Sequence, residues 1–180
     1  MNDLIAVVTG ASRGAGAGIA RALGAHGATV YVTGRTETSG EAPLPGTIYE
    51  TAAAVTKAGG RGIPVRVDHA KDDEIAALFE RVGSESGRLD ILVNNAATIH
   101  DDLIVPTPFW ERSRALADIL DVGLRCHYIA TYHAAPLLLL RPGGLVAFTS
   151  SFGAVCYMHG PAYGAQKAGV DKFAADMAVD

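Results

Sequence analysis

Short apolar runs alternate with amphipathic stretches along this chain. LIAVVTG (residues 4–10), TVYVTG (Thr29–Gly34), IPVRVD (63–68), LDILVNNA (89–96) and GLVAFTSS (144–151) are rich in β-branched residues. That is the pattern of strands buried on both faces of a parallel sheet. Between the first two, Ile19, Leu23 and neighbouring alanines line one face of a helix ending near Gly24 or Gly27. Residues 47–58 and 72–82 are amphipathic, with Ile75, Leu78, Phe79 and Val82 forming a helical stripe in the second. Residues 113–140 read as a long helix with interruptions expected near Gly123 and Pro136, and a last helix starts around Pro161. Residues 36–46 form a polar, proline-containing loop. Strand–helix alternation of this kind gives right-handed crossovers and a sheet covered on both sides. It predicts a three-layer α/β, doubly wound, Rossmann-type fold with strand order 3-2-1-4-5, as one domain over residues 1–180.

Composition narrows the function. With 180 residues and 49% hydrophobic content, the chain can bury a sizeable core. A formal net charge of −4, with Lys and Arg scattered rather than gathered in a stripe, argues against a nucleic-acid surface. Cys126 and Cys156 stand in apolar neighbourhoods without ligand spacing, so neither a disulfide framework nor a metal site is expected, and a cytoplasmic setting fits. The longest apolar run, near residues 137–140, is too short to span a bilayer. His26, His127 and His133 lack partners at ligand spacing and read as satisfied or surface histidines. Phe109 and Trp110 fit either a substrate entrance or the core.

The chemistry sits at the carboxyl ends of the expected strands, where doubly wound sheets bind ligands. After the first strand comes TGASRGAG, containing Gly10, Ser12, Arg13, Gly14 and Gly16. Gly10 permits a tight turn, Gly14 and Gly16 clear space for backbone amides to approach a phosphate, and the helix N-terminus adds positive potential. Arg35 follows the second strand, Asp68 the third, Asn95 the fourth, and Ser150 and Ser151 the fifth. In the run YGAQK, Tyr163 and Lys167 lie four residues apart and share one helical face. A tyrosine titrating near pKa ~10 becomes an acid or base at neutral pH only where a positive charge stabilises its phenolate.

The order TGxxxGxG (Thr9, Gly10, Gly14, Gly16), NNAA from Asn94, the serine pair, then Tyr163 and Lys167 resembles the short-chain dehydrogenase/reductase family over essentially the whole chain. Within it, FWE (Phe109–Glu111), VGLRCHY (122–128), SSFGAVCYM (150–158) and KAGVDKFAADMA (167–178) look most like the dehydrogenase/reductase family member 1 group. The resemblance implies hydride transfer between a nicotinamide and a small carbonyl or alcohol substrate. Tyr163 would move the proton, Lys167 would tune it and bond the nicotinamide ribose, and Ser150 would hold the substrate oxygen. Ser150 is chosen because it lies thirteen residues before Tyr163, with Ser151 as the fallback. Asp68 is expected at the adenine and Asn95 as a brace for the turn after strand four, although both residue types also serve local turn chemistry.

NADP(H) is favoured over NAD(H), because Thr33, Gly34 and Arg35 replace the usual acidic residue and Arg13 stands nearby. Glu37 would serve NAD if its loop folded back. Two departures from the family stand out. Gly123 occupies the position of an asparagine that helps relay protons to the lysine, and the sequence stops at Asp180, ahead of the family's last strands and substrate-covering segment. Family dimers and tetramers imply a homo-oligomer here. The rival expectation is a catalytically weak or inactive nucleotide-binding protein acting through assembly or regulation. Within enzymes, an epimerase or dehydratase also uses Tyr and Lys but tends to carry TGxxGxxG.

Overall fold

The computed structural model describes residues 4–180. Five parallel strands, β1 (Ile5–Val8), β2 (Thr29–Gly34), β3 (Arg61–Arg66), β4 (Ile91–Asn94) and β5 (Leu145–Phe148), form one sheet in the order β3-β2-β1-β4-β5. Successive side chains of a strand face opposite ways. Ile5 and Val7 therefore join a core with Tyr31, Ile75, Leu78, Phe79 and Leu92, whereas Ala6 and Val8 join Val30, Val32, Ile48, Ala52 and Val55 on the other face.

Helices α1 (Gly14–Ala25) and α2 (Ile48–Lys57) contribute to the second core, and α3 (Asp72–Ser86) to the first. Thr47 and Glu50 form a reciprocal capping box that fixes the start of α2. Acidic Asp72, Asp73 and Glu74 fill the first turn of α3, complementing the helix dipole, and Gly87 ends that helix. The third strand lies two residues earlier than the apolar run suggests, because pairing of Thr29 with Arg61 through Gly34 with Arg66 sets its span.

Residues 113–140 are not one helix. A 3₁₀ turn (Arg114–Ala117) leads into the short α4 (Asp118–Leu120), a wide turn over Asp121–Arg125 breaks the path, and α5 (Cys126–Leu138) follows. The break is at Val122 (φ −103°, ψ 88°) and Gly123 (φ 144°, ψ −15°), the second a conformation that L side chains rarely adopt. Pro136 does not interrupt α5; it lies in the last turn, where one lost ladder bond matters least. The last helix, α6 (Pro161–Met177), begins with proline at its first position. No helix among the described residues is long and apolar enough to cross a membrane.

Candidate active site

The end of β1 is stitched to the end of β4 through a buried threonine. The Thr9 hydroxyl donates to the Val93 carbonyl at 3.2 Å and accepts from the amides of Asn95 at 2.8 Å and Ala96 at 3.0 Å. Asn95 returns the contact, donating from Nδ2 to the carbonyls of Thr9 (2.9 Å) and Gly10 (3.0 Å). Asn95 thus braces the glycine turn itself. Gly10 has φ 62°, and a Cβ there would lie 2.6 Å from Ala96 Cα, so both conformation and space demand glycine. Gly14 faces open space, as a phosphate-approach position should. Gly16 differs: a Cβ there would lie 2.5 Å from Asn95 Nδ2, so its smallness serves packing against Asn95 rather than approach to a ligand. Among the described residues no side chain caps α1, in contrast to α2, so the first amides of α1 are available to an anion.

On the side expected to select the cofactor, Arg13 departs from the sequence expectation. Its guanidinium is committed to protein partners: Ser12 Oγ at 3.1 Å, Thr36 Oγ1 at 2.6 Å, and the carbonyls of Gly46 (3.1 Å) and Leu44. It therefore clasps the 36–46 loop onto the glycine turn. Arg35 is exposed at the end of β2. Glu37 accepts from Tyr49 Oη at 3.0 Å and lies 3.7 Å from Arg66 Nε, so the loop turns it toward these partners. A cleft of about 370 Å³ opens beside the turn, lined by Ser12, Arg13, Gly14, Arg21 and Glu50 among others. Asp68 bonds its own turn, accepting from the Ala70 amide at 3.1 Å. Next to it, His69 is buried against Thr33 Oγ1 at 2.9 Å, and burial pushes its pKa down to about 4.

At the other end of the site the structure brings Ser151, not Ser150, to the tyrosine. Ser151 Oγ lies 3.0 Å from Tyr163 Oη, whereas Ser150 is exposed. The cause is local: Ser151 begins a 3₁₀ turn (Phe152–Ala154), accepting from the Gly153 amide at 3.2 Å, and in extended backbone its neighbour must face away. The Tyr163 ring lies so close to Gly153 that a Cβ there would be 2.6 Å from Cε1. Lys167 is buried, with Nζ 5.6 Å from the centre of the Tyr163 ring and donating to the Thr149 carbonyl at 3.1 Å. Burial holds its pKa below the ordinary lysine value, partly offset by Asp171.

Several participants carried little sequence signal. His127 is buried, with Nε2 2.9 Å from the Ala96 carbonyl and Nδ1 without a hydrogen-bond partner among the described residues, and burial pushes its pKa down to about 4. Burial likewise pushes the Cys126 thiol up to about 12, which makes it a packing residue rather than a nucleophile. Gln166 is buried beside Lys167. Phe109 and Trp110 are exposed and pack edge to face on each other, so they lie outside the core. Among the described residues no group of three His, Cys, Asp or Glu side chains is gathered for a metal.

Known proteins resemble this chain in sequence and fold. The family pattern described as short chain dehydrogenase covers residues 4–180. The chain belongs to the short-chain dehydrogenase family. It is similar to dehydrogenase/reductase SDR family member 1 of Homo sapiens (42% identity) and of Mus musculus (41%), each alignment covering 99% of this chain and 56% of the relative. The chain thus spans little more than half the length of these curated relatives. Among solved structures, a metagenomic short-chain oxidoreductase in complex with NADP superposes with a TM-score of 0.83 at 31% identity, over 98% of this chain and 75% of that one.

Proposed function

We propose that this chain forms the nucleotide-binding and proton-transferring part of an NADP(H)-dependent oxidoreductase that interconverts a carbonyl and an alcohol. The observation that carries the reading is the contact of Ser151 Oγ with Tyr163 Oη, with Lys167 Nζ 5.6 Å from the centre of that ring, at the carboxyl ends of the strands where the glycine turn also opens. Gly14 and the uncapped start of α1 fit the phosphates of a dinucleotide, and the exposed Arg35 at the end of β2 is the cation assigned to a 2′-phosphate. The bound nicotinamide supplies or accepts the hydride. Ser151 holds the substrate oxygen by hydrogen bond, and Tyr163 gives that oxygen its proton in reduction and takes it back in oxidation. One N–H of Lys167 is spent on Thr149, leaving two donors for ribose hydroxyls and a positive charge beside the phenol. Arg13 acts indirectly, holding the 36–46 loop beside Arg35. The NADP complex of a structural neighbour and the names of the member 1 relatives support the same reading.

The reading extends to a cytoplasmic setting and to a homodimer or homotetramer, the assembly alone being supported by exposed Tyr128 and Tyr132 on α5. The test is a panel of small carbonyl compounds offered with NADPH and, separately, NADH, using both this chain and any longer native product. NADPH consumption well above that of NADH is expected. NADPH binding with no consumption in either form would contradict the reading and favour a nucleotide-binding regulator, a possibility given weight by Gly123.

A further inference from the structure

The break before α5 releases two backbone carbonyls, and both are taken up by the walls of the site. Val122 O accepts from the Thr98 amide at 2.9 Å, on the loop that follows β4. Gly123 O accepts from Gln166 Nε2 at 2.8 Å, on α6 immediately before Lys167. The break therefore ties the wall bearing Asn95 to the wall bearing Tyr163 and Lys167. Gln166 is only 1% exposed. Burying a carboxamide is unfavourable unless its polar atoms are bonded, so its place here depends on this contact.

Space and conformation make Gly123 and Gln166 a matched pair. A Cβ at 123 would lie 2.7 Å from Gln166 Nε2 and 3.1 Å from its Cδ. The family resemblance leads one to expect a carboxamide at position 123; here the facing helix sets the Gln166 carboxamide against the carbonyl of that position. At 3.6 residues per turn, position 166 lies one step from 167 and three from 163, so pinning it sets the rotation of α6 about its own axis. That rotation aims both the phenol and the ammonium.

We propose that Gln166 is a positioning residue: its bond to the Gly123 carbonyl locks α6 against the break and so holds Lys167 where it meets Tyr163 and the cofactor ribose. The inference rests on the functional reading above. Two substitutions isolate the bond. Gln166→Met keeps the volume and removes the amide. Gln166→Glu sets a carboxylate against a carbonyl until it is protonated, and burial brings that protonation toward neutral pH. NADPH dissociation constants and carbonyl turnover are measured from roughly pH 8 to roughly pH 6, each as a ratio to wild type, so that titration of Tyr163, Lys167 and Asp171 on α6 and of Cys126 and His127 on α5, present in every form, is divided out. Gln166→Met is expected to weaken NADPH and slow turnover roughly tenfold throughout, about the value of one buried hydrogen bond. Gln166→Glu should match that loss at the alkaline end and recover on acidification, a response that packing alone would not give. If Gln166→Met does not fold, the acid recovery of Gln166→Glu decides. Wild-type values for both variants, or equal losses without recovery, would overturn the proposal. Wild-type protein that binds NADPH but reduces no carbonyl would overturn the enzymatic reading alone, leaving the affinity ratios to judge Gln166; failure to bind either nucleotide would overturn both.

Discussion

At the scale of single residues, the serine pair separates what counting can determine from what it cannot. The interval to Tyr163 favours Ser150, yet the 3₁₀ turn that starts at Ser151 faces that hydroxyl inward, 3.0 Å from Tyr163 Oη. Turn geometry of this kind depends on how Tyr163 packs over Gly153, which no spacing encodes. Ser151→Ala is expected to lower turnover on the order of 100-fold, as for loss of one donor to a reacting oxygen, with Ser150→Ala within about twofold of wild type under the same assay. Equal effects would remove the distinction. Arg35 and Arg13 divide in a similar way. Both were legible as cations near a phosphate, but only the structure shows Arg13 bonded to Thr36, Leu44 and Gly46. Arg35→Asp should therefore weaken NADPH at least tenfold, one salt-bridged phosphate contact, and leave NADH little changed, as read by fluorescence titration. Unchanged NADPH affinity would reassign the 2′-phosphate contact.

At the scale of elements, the sequence was most legible where the pattern is local. Strand β2 was legible in full from its own residues, and α2 within one residue of each end, because a β-branched run and an amphipathic stretch are both local patterns. Legibility failed where partners set the outcome. The limits of β3 come from its pairing with β2, and the path of residues 113–140 is set by the break at Val122 and Gly123, whose carbonyls find partners on two other elements. Glycine at 123 signalled an interruption but not its shape. The break itself can be tested apart from activity. Gly123→Ala places a side chain at φ 144° and against the Gln166 amide. A loss of about 1–3 kcal/mol of stability in urea denaturation is expected; a neutral outcome would mean the break relaxes freely.

At the scale of the whole molecule, the doubly wound order sets the candidate groups that follow the strands at the carboxyl end of the sheet, and the same packing buries two histidines. His69 and His127 have folded-state pKa values of about 4, below the ordinary value near 6.5. The unfolded chain therefore binds more protons between those limits, so stability rises with pH there and is lost as pH falls. Unfolding free energy should drop between pH 7 and pH 5 by an upper bound on the order of 2 kcal/mol per histidine, before most carboxylates titrate. His69→Asn and His127→Asn should each flatten the slope, and a flat profile in the wild type would show that the histidines are solvated. These groups frame the site; the proton itself is assigned to Tyr163. The most direct measurement is Tyr163→Phe, with NADPH affinity and carbonyl turnover determined on the same preparation. The expected result is a nucleotide dissociation constant within about threefold of wild type and turnover reduced at least a hundredfold, the loss of a general acid; turnover retained at the wild-type level would contradict the assignment of the reaction to this phenol.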